Sequence, residues 1–153
     1  MTNTEVLSIV FSTISLFVAA FATFAAYKTY TLAKLQLRLD KVNEFQKALL
    51  DINKELLRDP SLWAIYEDSI PSDSLLRQKL EAFAYIKINL AEMVYTFFHG
   101  PVELAEYEEQ VWKVWHRLFQ HEKNSCVLLR EIINAEEAED LYSASFLQYV
   151  RDL

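Results

Sequence analysis

The chain has almost no glycine and little proline: Gly100 stands alone, and only Pro60, Pro71 and Pro101 interrupt 153 residues. One glycine cannot build a phosphate-cradling loop, and no breaker of either kind occurs before Pro60. Cysteine is equally scarce. Cys126 is single, which excludes an intrachain disulfide and gives no reason to expect an oxidising compartment. CxxC, HExxH and GxSxG are absent as well, so no metal or nucleophile motif is present, and neither metal nor other cofactor is expected. No strand-type alternation, internal repeat or low-complexity tract competes with a helical reading.

What the chain does possess is a long uncharged run, VLSIVFSTISLFVAAFATFAAY, from Val6 to Tyr27. At ~1.5 Å per residue it makes a helix of ~33 Å, enough for a hydrocarbon core of ~30 Å. A secretory signal would carry a basic segment before a shorter run, whereas only Glu5 precedes this one. The reading is a signal anchor. Lys28, Lys34, Arg38 and Lys41 follow it, so the positive-inside rule puts residues 1–5 outside and the remainder in the cytoplasm. The expected location is a bacterial inner membrane, crossed once by residues 6–27.

The run is also two-faced. Taken at 100° per residue, Ser8, Ser12, Ser15, Ala19, Ala22, Thr23 and Ala26 share one side, and Val10, Ile14, Phe17, Phe21 and Phe24 the other. The small residues recur at alternating four and three, the spacing of a heptad seam. Small and hydroxylated side chains let membrane helices approach closely, while Phe suits lipid. A homo-oligomer is expected, with a narrow, weakly polar lumen as its sharpest form.

Beyond the run, residues 28–58 continue as a basic amphipathic stalk helix with Leu35, Leu39, Val42, Phe45, Leu49, Ile52 and Leu56 in a stripe. A helical bundle is expected over 59–153. Asp59-Pro60 opens a short helix, Ser72 or Asp73 caps a long apolar one ending at Gly100-Pro101, and another runs from about Val102 to Lys123 with Leu104 inside. Ser125 and Ser145 are the expected caps of two later helices. Residues 28–58 carry a net charge of +3 and residues 59–153 a net of −9. The basic part suits an anionic leaflet, and the acidic part argues against DNA as a partner. The expected class is all-α, a transmembrane helix continuing into a cytoplasmic bundle.

Chemistry is sparsely signalled, and no residue set establishes an enzyme. Glu92 and His99 lie on one side of the long apolar helix, but two residues do not make a metal site. Arg117 and His121, one turn apart, can grip a phosphate while the imidazole moves a proton. This resembles the logic of HEPN ribonucleases, helical domains with an Arg, four to six intervening residues and a His. Here three intervene and Leu118 follows the Arg. An ordinary solvated face accounts for the pair as well, since Glu106, Lys113 and Gln120 lie on the same side.

Two wider resemblances follow from these parts. Asn89 and Glu92 in INLAEMVYTFFHG, Trp112 and Trp115 in VWKVWHRLF, and Phe146 to Val150 in SASFLQYV resemble the layout of a widespread group of bacterial single-span proteins. By size, architecture, small-residue seam and the shortened Arg117/His121 pair, the chain is also similar to the membrane accessory proteins of type VI-B CRISPR systems. That resemblance implies a divergent HEPN-like domain, a membrane pore, a role in antiviral defence, and RNA or a CRISPR effector protein as partner. The alternatives it leaves are a membrane-tethered HEPN-like ribonuclease and a membrane scaffold that recruits a cytoplasmic partner.

Overall fold

A computed structural model describes residues 3–67, 69, 74–101 and 106–153; the side chains of 3, 5–10 and 74 lie outside what it describes. The chain is all-α, with no strand among the described residues. Helix α1 spans Asn3–Arg58, a 3-10 turn occupies Pro60–Tyr66, and α2 (Ser74–Phe98), α3 (Glu106–Ser125), α4 (Val127–Asn134), α5 (Ala138–Leu141) and α6 (Ala144–Asp152) follow. The expected caps Ser72 and Asp73, the start at Val102 and the inward Leu104 fall outside the described residues.

Two compact units divide the chain, residues 1–44 and residues 45–153. The division falls inside α1, between Glu44 and Phe45. Phe45, Ile52 and Leu56 of the expected stalk are buried residues of the second unit, so that part of the helix belongs with the bundle. The first unit is helix alone. Without Gly or Pro before Pro60, nothing interrupts its backbone hydrogen bonds.

In the second unit the 3-10 turn begins as the residues demand. Asp59 takes an extended conformation, its carboxylate accepts from the Ser61 amide at 3.1 Å, and Pro60 fills the first position where its missing N–H costs nothing. Leu62 and Ile65 pack inward. Helix α2 ends at Phe98, ahead of Gly100-Pro101. Gly100 has no positive φ, so the helix stops without a left-handed cap; Pro101 disfavours helical geometry at the residue before it.

Two caps differ from expectation. Ser125 is the last residue of α3, and Cys126 caps α4, its Sγ accepting from the Leu129 amide at 3.3 Å. Ser143, not Ser145, sits at the N-cap of α6. In both places the burial of the following side chains sets the boundary: Leu128 and Leu129 in α4, Phe146 and Leu147 in α6. The core gathers Leu80, Ala84, Ile88 and Val94 from α2, Trp115 and Phe119 from α3, Ile133 from α4, and Phe146 and Val150 from α6. Arg130 closes the α3–α4 corner, donating to the carbonyls of Lys123 at 2.8 Å and Asn124 at 2.6 Å. Those are end carbonyls of a helix, which lack partners within it.

Candidate functional site

The surface of α1 is the first unit's chemical feature. Every residue from Phe11 to Leu37 is exposed. Ser12, Ser15, Ala19, Ala22, Thr23 and Ala26 are therefore free of cover, as are Ile14, Phe17, Phe21 and Phe24 across the helix. Ser8 and Val10 belong to the side chains that are not described. Phe17 is 72% and Phe21 73% exposed, part of a contiguous apolar surface of the kind that marks a protein or membrane contact. One helix, described from Phe11 to Arg58, is long and apolar enough to cross a membrane. The Thr23 hydroxyl donates to the Ala19 carbonyl at 2.9 Å, which satisfies its donor within the helix.

The second unit hides a charged cluster that the sequence pattern did not single out. Lys87 Nζ lies 2.5 Å from Glu122 Oε2, with side chains only 8% and 16% exposed. The Tyr66 hydroxyl lies 3.2 Å from each Glu122 carboxylate oxygen and also accepts from Lys87. The ammonium stands 4.7 Å from the Tyr66 ring centroid and 5.7 Å from that of Phe83. Ammonium, phenol and carboxylate thus compensate one another where water is scarce, as burial of charge requires. Burial, followed by the Glu122 charge, pushes the Tyr66 phenol well above its ordinary range. Burial likewise raises the thiol of Cys126, one turn after Glu122. A cavity of about 40 Å³ adjoins the pair, lined among others by Leu49, Ile52, Trp115 and Phe146.

An aromatic cluster joins α2, α3 and α6. The rings of Tyr95 and His99 stack at 4.2 Å and those of Tyr95 and Tyr149 at 4.8 Å, while His99 meets Trp112 edge-on at 4.6 Å. His116 Nδ1 lies 2.8 Å from the Tyr149 hydroxyl. Trp112 belongs to this cluster, whereas Trp115 is buried in the core against Phe119. Burial, with Tyr95 beside it, raises the Tyr149 phenol.

The remaining candidates are scattered. Glu92 accepts from the Ser143 amide at 2.8 Å, placing a carboxylate at the start of α6, where the helix dipole favours it. Its neighbour Asn89 is exposed on α2. Arg117 and His121 are both exposed on α3 and line none of the cavities described. Among the described residues no group of three or more His, Cys, Asp or Glu could hold a metal ion. Lys87, Tyr66 and Glu122 escape sequence reading because each looks like an ordinary surface residue, and 56 positions separate Tyr66 from Glu122.

The architecture is that of an all-helical chain with one candidate membrane span. No family model, curated protein or solved structure matches it.

Proposed function

We propose that the chain is a single-span membrane protein that assembles with copies of itself through the small-residue face of α1, with residues 28–153 in the cytoplasm beneath a bacterial inner membrane. One observation carries this reading. The exposed span segregates Ser12, Ser15, Ala19, Ala22 and Ala26 from Ile14, Phe17, Phe21 and Phe24. An isolated anchor in lipid gains nothing from that division, whereas close helix packing requires small residues on one side. The orientation is supported by the four basic residues Lys28, Lys34, Arg38 and Lys41, against Glu5 before the run. A pore-like effector role in antiviral defence is the finer form of the proposal and rests on the resemblance to CRISPR accessory proteins.

The test is the mass of the intact assembly in mild detergent, by native mass spectrometry or light scattering. A multiple of 17.9 kDa supports the reading, and a monomer across the concentration range removes it. Orientation needs its own probe, because Cys126 is wholly buried and reports on neither side of the membrane. In a Cys126→Ser background, Thr2→Cys should react with an impermeant thiol reagent outside sealed cells, and Gln120→Cys should not.

A further inference from the structure

We propose that a second copy of the chain docks in the groove between α2, α4 and α5, inserting the outer face of its α1 that carries Lys47, Leu50, Lys54 and Leu57. The inference rests on the self-assembly reading and adds a second contact to it, made by the bundles rather than by the span. Two uncovered surfaces of the second unit lead to it. The first is the groove, about 260 Å³, with Leu128 and Ile132 buried in its floor. At its mouth Tyr85 is 37% and Leu141 58% exposed. Glu81, Glu131 and Glu137 line it too, three carboxylates against the single guanidinium of Arg77. Arg77 lies 2.9 Å from Glu81 and 3.9 Å from Glu131, and Glu137 has no ion pair among the described residues.

The second surface is on α1. Lys47, Leu50, Lys54 and Leu57 recur at spacings of three and four and fall within ~80° of the helix. All four are exposed, because Phe45, Ile52 and Leu56 turn the opposite side into the core. Asp51, just beyond that arc, pairs with Lys54 at 2.8 Å, but both side chains are more than half exposed. Such a pair is weak in water, and a better-shielded carboxylate can replace it.

Charge complementarity identifies the occupant. One surface sets leucines among lysines; the other is an apolar floor edged by carboxylates, so docking buries the leucines and gives the lysines counter-charges. Each chain carries both surfaces, and anchoring in one membrane raises the effective concentration of copies. An unrelated basic partner in the groove would leave Leu50 and Leu57 bare, whereas a second copy covers both. Because the two patches differ, the contact is head-to-tail and repeats from copy to copy until a ring closes.

The test is disulfide trapping in cells that express two tagged forms of the full chain, both Cys126→Ser. One carries Leu50→Cys or Leu57→Cys, and the other carries Leu141→Cys. The mixed dimer should form in preference to either form linked to itself. Lys47→Glu with Lys54→Glu in the first form should lower its yield about tenfold, because like charges then face each other. Glu131→Lys with Glu137→Lys in the second form should do the same, and both reversals together should restore it. Absence of the mixed dimer, self-linked forms in its place, Leu141→Cys trapped only on other proteins, or reversals that fail to cancel each overturn the proposal. The mass of the parent assembly separates two failures. Several copies without the mixed dimer remove this contact alone, and a monomer removes the self-assembly reading as well.

Discussion

Lys87 and Glu122 form an ion pair at 2.5 Å that is almost sealed from solvent, and the Tyr66 hydroxyl closes its open side. Removing one member leaves the other charged and unpaired in a poorly solvated site. Lys87→Met or Glu122→Leu alone should therefore destabilise the bundle by about 3–5 kcal/mol. The double replacement should recover most of that loss, because no uncompensated charge remains. Urea unfolding followed by the fluorescence of buried Trp115 measures both. A loss below about 1 kcal/mol for either single variant would show that water reaches the pair.

Alkaline pH should loosen the bundle in a defined window. Burial, followed by the neighbouring Tyr85 and Glu92, pushes Tyr142 up to about 12 from an ordinary value of 10.0. Below pH 10 the phenol is protonated in both folded and unfolded chains, and its contribution is fully present. Between pH 10 and about 12 the unfolded chain ionises first, so stability falls as pH rises. Tyr66 and Tyr149 are shifted in the same direction, so Tyr142→Phe should flatten only part of the slope. Thermal melts at stepped pH, beside absorbance titration of the phenols, provide the check.

Self-assembly should depend on which side of α1 is altered. Ser12→Leu with Ala19→Leu keeps the run apolar but blocks close approach, and should reduce the assembly to smaller species. Phe17→Leu with Phe24→Leu on the other side should leave its mass unchanged. Identical behaviour of the two pairs would mean that the division of residues is an accident of composition.

The exposed pair on α3 separates an effector from a nuclease. Arg117→Ala with His121→Ala should change stability by no more than about 0.5 kcal/mol, as exposed substitutions commonly do. In expressing cells it should leave membrane depolarisation intact, whereas the Ser12 and Ala19 changes reduce it. If the pair instead performs acid–base cleavage, its removal should slow RNA decay by roughly 10²–10⁴-fold. RNA integrity and membrane potential, read in the same cultures, decide between the two.

Legibility in the sequence followed the range of the interaction. Helix α1 and the turn at Asp59-Pro60 depend on neighbours within a few residues, and periodicity and breakers reveal them. The caps were less legible. Ser125 and Ser145 have the right side chains, yet Cys126 and Ser143 hold the positions because the buried Leu128, Leu129, Phe146 and Leu147 dictate where each helix starts. Nothing local marks the Lys87–Glu122–Tyr66 cluster. Its members meet only after α2, α3 and the 3-10 turn have packed, and a lysine inside AYIKINLAEM looks the same whether it faces water or a carboxylate.

The last helix has a consequence for the order in which the chain matures. Phe146 is completely buried and Val150 nearly so, while Lys123 reaches the Arg151 carbonyl at 2.6 Å. The bundle therefore cannot close its core until those residues have left the ribosome. The apolar run, complete at Tyr27, emerges more than a hundred residues earlier, on the order of ten seconds at ordinary translation rates. Under the proposed membrane-spanning reading, insertion machinery meets this apolar nascent helix long before its own domain can fold, and delivery to the bilayer precedes folding of the bundle.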